Sequence, residues 1–255
     1  MSILRRFALL FLFFPAFAVH AEDAPTPMVF AVTSYTIHPG TAPMFEQLVM
    51  RYKEAAIKLG KRPTWFAYSP GIGNDLQYDF ASPVTSFGMM ADMSDDVMTA
   101  FGSDEAQKMG ALARESISSV ESYTVRLRPD LGIAGPEQTT PPEMVFSYSI
   151  IVKAGMNEAW EASMANVIEA TKQTSPDTHW NTFQGGIAAP NLYGIRVNLN
   201  WVDLDSPGKP VLARLIEAYG ERKGRKMWKD NMDMVVSVET SISRFRSDLS
   251  HLPAS

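Results

Sequence analysis

The sequence predicts an α+β fold in which one β-α-β-β-α-β unit is used twice within a single chain of 255 residues. Three observations carry that expectation. The first is a repeated ending. Val120-Glu121-Ser122 is followed by Arg126-Leu127-Arg128-Pro129-Asp130-Leu131, and 118 residues later Val238-Glu239-Thr240 is followed by Arg244-Phe245-Arg246-Ser247-Asp248-Leu249. The second is a set of landmarks in the same order: Gly40 with Gly155, Phe45 with Trp160, Trp65 with Trp180, and Phe101-Gly102 with Tyr219-Gly220. The third is the matched succession of strand-like and helix-like periodicity between them. Self-similarity of this size marks two copies of one supersecondary unit that pack together.

Each copy opens on a β-type run, residues 28–37 (MVFAVTSYTI) and 144–152 (MVFSYSIIV), ending in a turn at Gly40 or Gly155. A helix follows. Phe45, Leu48, Val49, Tyr52, Ala55, Ala56 and Leu59 fall at i, i+3, i+4, i+7 spacing, with Gly60 as the stop. Trp160, Met164, Val167, Ile168 and Thr171 repeat that stripe, with Pro176 beyond it. A short strand surrounds each tryptophan, 64–68 and 179–183, and Gly/Pro/Asn-rich turns lead to another strand, clearest over Tyr193–Val202. Broken helical regions, about 94–118 and 207–235, are interrupted at Gly102 and Gly220. Strands over about 121–128 and 239–246 close the copies.

This order is the ferredoxin-like one: a four-stranded antiparallel sheet with helices on one face. Two such sheets in one chain can cover each other's bare faces, which predicts a sandwich or closed barrel about a pseudo-two-fold axis. The expected divisions are a signal peptide over 1–21, a first unit over 22–131, a Pro/Gly-rich linker over 132–143 and a second unit over 144–255.

The N-terminus reads as an export signal. Arg5 and Arg6 precede an apolar run from Phe7 to Val19, and Val19 and Ala21 suit a cleavage site before Glu22. The run is short for a bilayer core of about 30 Å, so no retained membrane anchor is expected, and the destination is most simply a periplasm. The remaining chain, roughly 230 residues, can bury a core without staples. With 23 basic against 28 acidic residues, no nucleic-acid partner is expected. The absence of Cys excludes disulfides, thiolate metal sites and a cysteine nucleophile.

The order of elements, the Trp after the first helix, and Phe101 to Met109 (FGSDEAQKM) followed by Val120-Glu121-Ser122-Tyr123 resemble the dimeric α/β-barrel superfamily. The likeness is greatest to antibiotic-biosynthesis-monooxygenase and NIPSNAP-type domains, here as a tandem covering about 28–131 and 144–249. The resemblance implies a pocket-bearing barrel that elsewhere hosts cofactor-free oxidation, isomerisation or haem binding. Fold membership transfers none of these by itself.

Candidate site residues come from strand alternation in the second copy. Tyr193, Ile195, Val197, Leu199 and Trp201 share one face; Arg196, Asn198 and Asn200 share the other. His179 and Asn181 lie together on the neighbouring strand, and Ser147, Ser149 and Glu239 have compatible parity. Such a polar row inside an apolar barrel suits a small ligand. Alternatively it is a wet rim with Arg196 paired to Glu239. His179 or Glu239 would act as the proton acceptor and Arg196 or Asn198 would stabilise negative charge. Phe66, Tyr68 and Phe183 would line an apolar cavity. Trp65 and Trp180 read as core, and the methionine groups (Met89, Met90, Met93 and Met98; Met227, Met232 and Met234) as adaptable filling rather than copper ligands. No metal or cofactor is expected, and no GxSxG, HExxH or phosphate loop is present in the sequence.

Three functional readings follow. The first is an exported barrel that binds a small apolar or aromatic molecule and oxidises or isomerises it. The second is a non-enzymatic envelope or stress factor whose barrel is a scaffold for partner contacts. The third is carriage of haem or copper. With two units in one chain, a monomer suffices and a homodimer stays open.

Overall fold

In the computed structural model the described residues are 28–58, 64–72, 76–84, 102–135, 141–186, 189–205 and 208–252. The expected signal, Gly60, the first methionine group and part of the linker lie outside them. Eight strands are seen: β1 Val29–Ile37, β2 Phe66–Ile72, β3 Gln77–Val84, β4 Ile117–Leu127, β5 Met144–Val152, β6 Asn181–Gly185, β7 Leu192–Leu199 and β8 Val235–Phe245. Five helices accompany them among the described residues: α1 Ala42–Lys58, α2 Gly102–Ser116, α3 Asn157–Thr174, α4 Val211–Tyr219 and α5 Glu221–Asp233.

The strands close into one antiparallel barrel in the order β1-β3-β2-β8-β5-β7-β6-β4. Within the first half β1 pairs with β3 and β4, and β2 with β3; within the second β5 pairs with β7 and β8, and β6 with β7. Closure comes from two seams, β2 against β8 and β4 against β6. A closed barrel leaves none of its strands with an unpaired edge.

Alternation sends one side chain inward and the next outward. Outward rings meet the helices. Phe45 of α1 lies 4.8 Å from Tyr78, and Trp160 of α3 lies 4.4 Å from Tyr193. Two apolar clusters form in this way, one containing Phe45, Ala56 and Trp65, the other Trp160, Val167 and Trp180.

The tryptophans have like surroundings. Both are buried; Trp65 Nε1 donates to the Leu249 carbonyl at 2.8 Å, and Trp180 Nε1 to the Leu131 carbonyl at 3.0 Å. Arg246 holds Glu46, and Arg128 holds Glu161 at 2.8 Å. Each of these contacts runs from one half of the chain to the other.

Boundaries differ from expectation in three places. Strands β4 and β8 start at Ile117 and Val235, four residues earlier than the sequence suggests, because Ile117 and Val235 continue the preceding helix's apolar pattern and mask the change of period. Strand β2 runs through Pro70 and Gly71 to Ile72, where a turn is expected. A Cβ at Gly71 would stand 2.6 Å from the Ile242 carbonyl oxygen, so the glycine permits the close β2–β8 seam. The first linker residues are packed, with Ile133 bridging to Trp180. Gly220, at φ +83°, breaks the helical stretch between α4 and α5 as expected. No helix among the described residues is long and apolar enough to cross a membrane.

Candidate functional site

The barrel lumen holds a cavity of about 450 Å³, open to solvent on one side, whose walls draw on all eight strands. That volume falls within the usual range of small-molecule pockets. Phe30 and Val32 come from β1, Phe66 and Tyr68 from β2, Tyr123 and Val125 from β4, and Phe183 from β6. Polar groups enter from Gln77 and Asp79 on β3, Ser147 and Ser149 on β5, Arg196 and Asn198 on β7, Asn181 on β6 and Ser241 on β8. A second cleft of about 100 Å³ between α3, α4 and α5 holds no more than a few waters, each needing about 30 Å³.

Arg196 is the central cation of the lumen. Its guanidinium carbon lies 5.7 Å from the Tyr68 ring centroid and 5.6 Å from that of Phe183. The two rings embrace a planar cation whose charge is attracted to their faces. Phe183 is itself fixed edge-on against Phe30 at 5.8 Å. Arg196 makes no hydrogen bond or ion pair with a described residue, so its N–H donors are left for whatever fills the lumen.

Asp79 is the counterpart acid. Its Oδ1 accepts from Ser34 Oγ at 2.6 Å and from Gln77 Nε2 at 2.9 Å. Tyr123 adjoins this group; burial raises its phenol pKa, and the charge of Asp79 raises it further while Ser34 and Arg196 oppose the shift. Burial likewise raises the Tyr68 phenol, with Arg196 pulling the other way. Both lumen phenols are therefore neutral hydrogen-bonding groups in ordinary buffers.

Of the residues expected from sequence, Arg196, Asn181, Asn198, Phe183, Tyr68 and Phe66 meet in this cavity. Three do not. His179 precedes β6 and lies under Gly135, where a Cβ would stand 3.2 Å from its ring; its Nδ1 is buried without a hydrogen bond among the described residues. The parity reading failed there because Trp180, pinned to Ile133, ends the regular alternation. Glu239 faces Ser149 across β8 and β5 but is exposed, so it is not the desolvated carboxylate expected of a buried base, and it forms no ion pair with Arg196. Asn200 is exposed and caps the short 3-10 turn Trp201–Leu204, with its backbone N–H donating to Asp203 at 2.7 Å.

Asp79, Ser34, Tyr123 and Phe30 were not singled out from the sequence. Strand β3 (QYDFASPV) hides Asp79 because serine and proline interrupt its alternation. The signal available was the pairing of Ser34 on β1, a strand with clean alternation, to Asp79.

No protein-family profile matches the chain, and no curated protein matches it in sequence. Solved structures do match in shape. A mutant chlorite dismutase from Candidatus Nitrospira defluvii superposes with TM-score 0.53 at 10% identity, covering 86% of this chain and 92% of that one. A candidate monooxygenase from Fusobacterium nucleatum gives 0.53 at 7% identity, covering 87% and 94%. An anthrone oxidase-like protein gives 0.51 at 10% identity, covering 87% and 92%. The chain has the dimeric α/β-barrel fold.

Within that fold the haem option finds little to hold the iron in this α/β barrel. No His, Met or Cys lines the cavity among the described residues, and its tyrosines are shifted away from the phenolate form that would ligate. The described residues that line the cavity do not fit a haem. Nor do three or more His, Asp or Glu residues cluster as a metal site among the described residues.

Proposed function

We propose that this chain is an exported protein made of two fused ferredoxin-like units, whose α/β barrel binds a small aromatic molecule in its lumen and rearranges it, or oxidises it with dioxygen as the electron acceptor, without a metal or cofactor. The observation that carries the reading is the cavity of about 450 Å³, walled by Phe30, Phe66, Tyr68, Tyr123 and Phe183 and holding one guanidinium with free donors. The repeated endings, the like surroundings of Trp65 and Trp180, and the reciprocal Arg–Glu contacts support the two-unit arrangement. The Arg5-Arg6 and apolar run at the N-terminus supports export. The anthrone oxidase-like and monooxygenase-like neighbours are compatible with oxidation of an aromatic substrate.

Chemically the lumen suits removal of a proton from an acidic C–H or O–H of a bound aromatic. Asp79, rather than Glu239 or His179, is the carboxylate in the cavity and takes the accepting role. Arg196 then stabilises the oxyanion that develops, a contribution greatest where water is excluded. Returning the proton at another carbon completes an isomerisation with no other reactant.

A cavity of this size weighs against the scaffold alternative, for which a filled barrel would be the natural form. The test is binding and turnover of a panel of one- to three-ring aromatics, including anthrone under air, by the full chain. Tyrosine and tryptophan fluorescence quenching with dissociation constants at or below the millimolar range is the expected result. No quenching by any member would overturn the reading.

A further inference from the structure

We infer that the lumen ligand is an aromatic acid that also carries a hydroxyl or amino group, with its carboxylate on Arg196 and its donor on Asp79. This rests on the aromatic-lumen reading and specifies the ligand within it.

Two complementary charges stand in the same cavity without meeting. Arg196 and Asp79 both line it, and no ion pair joins them. Had they neutralised each other, an apolar ligand would be the natural occupant. Instead Arg196 is flanked by the Tyr68 and Phe183 rings and has no protein acceptor among the described residues. A half-buried guanidinium with idle donors is best satisfied by a planar carboxylate, which it can grip through two parallel hydrogen bonds. The flanking rings leave room beside them for an aromatic ring continuous with that carboxylate.

The other end selects a donor. Ser34 and Gln77 both bond Asp79 Oδ1, and no hydrogen bond to Oδ2 is made among the described residues. A carboxylate accepts only, so its partner is an O–H or N–H. A second negative group is disfavoured there, because Asp79 repels it and Glu121 stands opposite Ser34, the residue that donates to Asp79. Tyr68 sits directly across from Asp79 in the β2–β3 register, so one ring-sized molecule bridges acid and base along the aromatic wall.

The pattern belongs to one wall each. The strand positions facing the lumen on β3 carry Asp79 and Ala81, whereas those on β7 carry Gly194 and Arg196. Acid and base thus approach the ligand from different sides, giving it a fixed direction.

Calorimetric titration of the full chain with benzoate, para-hydroxybenzoate and neutral benzamide tests the inference. Both acids should bind at least about tenfold more tightly than benzamide, the difference expected of one hydrogen-bonded charge pair, and para-hydroxybenzoate should exceed benzoate. Arg196→Met should remove the preference for acids over benzamide, and Asp79→Asn should remove the advantage of para-hydroxybenzoate over benzoate. The unaltered-protein comparison stands even if a variant folds poorly. Equal binding of benzoate and benzamide, or acid binding indifferent to Arg196→Met, overturns the inference while leaving the aromatic lumen intact. Failure of every aromatic, charged or neutral, removes the aromatic lumen itself.

Discussion

Arg246, just past the end of β8, grips Glu46 of α1 through two hydrogen bonds of 2.5 and 3.0 Å, across 200 residues of sequence. Arg128 does the same to Glu161 at 2.8 Å, and each glutamate also accepts from a tyrosine, Tyr78 at 2.8 Å or Tyr193 at 2.6 Å. Charge, hydrogen bond and aromatic packing converge where each half of the chain locks onto the other. Replacing Glu46 by Gln keeps the shape and removes the charge. A loss of about 1.5–3 kcal/mol is expected in denaturant melts, toward the lower end because a quarter of each side chain is exposed. Glu161→Gln should cost a similar amount, and the two should add, since they share no partner.

The same glutamates set the acid limit of stability. The Arg246 hydrogen bond holds the Glu46 carboxyl below its ordinary value, and Arg128 does so for Glu161, in both cases against a smaller opposing effect of burial. A carboxyl depressed on folding stabilises the native state above its unfolded value of about 4.3, and that stability is lost as pH falls through the lower folded value. The melting temperature should therefore decline below about pH 4.5. The Glu46→Gln, Glu161→Gln double variant should show a visibly shallower decline.

At the alkaline end the tyrosines decide. Burial raises all eight phenols, Tyr78 and Tyr193 most strongly, because each also donates to an anionic glutamate. A phenol raised on folding contributes stability that is complete below the unfolded value of about 10 and is lost as pH climbs toward the folded one. Ultraviolet titration of the native chain should show phenolate forming at higher pH than in denaturant, with unfolding accompanying the late part. A native titration superimposed on the denatured one would refute this.

Helices α4 and α5 touch through Gly224. A Cβ there would stand 2.6 Å from the Ile216 backbone nitrogen and 2.7 Å from its Cα, atoms that cannot swing aside. Gly224→Ala, ordinarily favourable in a helix, should destabilise by about 1–3 kcal/mol through overpacking. Thermal melts that rise instead would show the helix pair to be looser than this contact implies.

Arg214 is 8% exposed, bonds only the neutral Thr171 hydroxyl at 3.2 Å, and leaves its Nε without a partner among the described residues. Desolvation lowers its pKa, so the buried charge carries an uncompensated cost. Arg214→Met, similar in length and uncharged, should leave the melting temperature unchanged or raise it. A fall equivalent to about 2 kcal/mol or more would mean that the guanidinium meets an acceptor essential to the fold.

The barrel was legible where its strands keep a regular period. The order of strands and helices could be read from the matched endings and tryptophans, and the clean alternation of β7 put Arg196 and Asn198 on the inward face. Phe66, Tyr68 and Phe183 followed from the same period of two. Legibility failed where period failed. Asp79 sits in a strand broken by serine and proline, and His179 lies two residues before β6 begins. Glu239 had the right parity but the wrong depth, since alternation fixes which way a side chain points and says nothing of how near it lies to the barrel's mouth.

Closure of the barrel by a single polypeptide lets its two sides evolve apart. A ring assembled from two identical chains would display every inward side chain twice, so an arginine on one side would oblige another opposite it. Here the lumen has arginine at position 196 on β7 and alanine at position 81 on β3. One covalent chain can thus give its interior a handedness, so that a guest has a head and a tail.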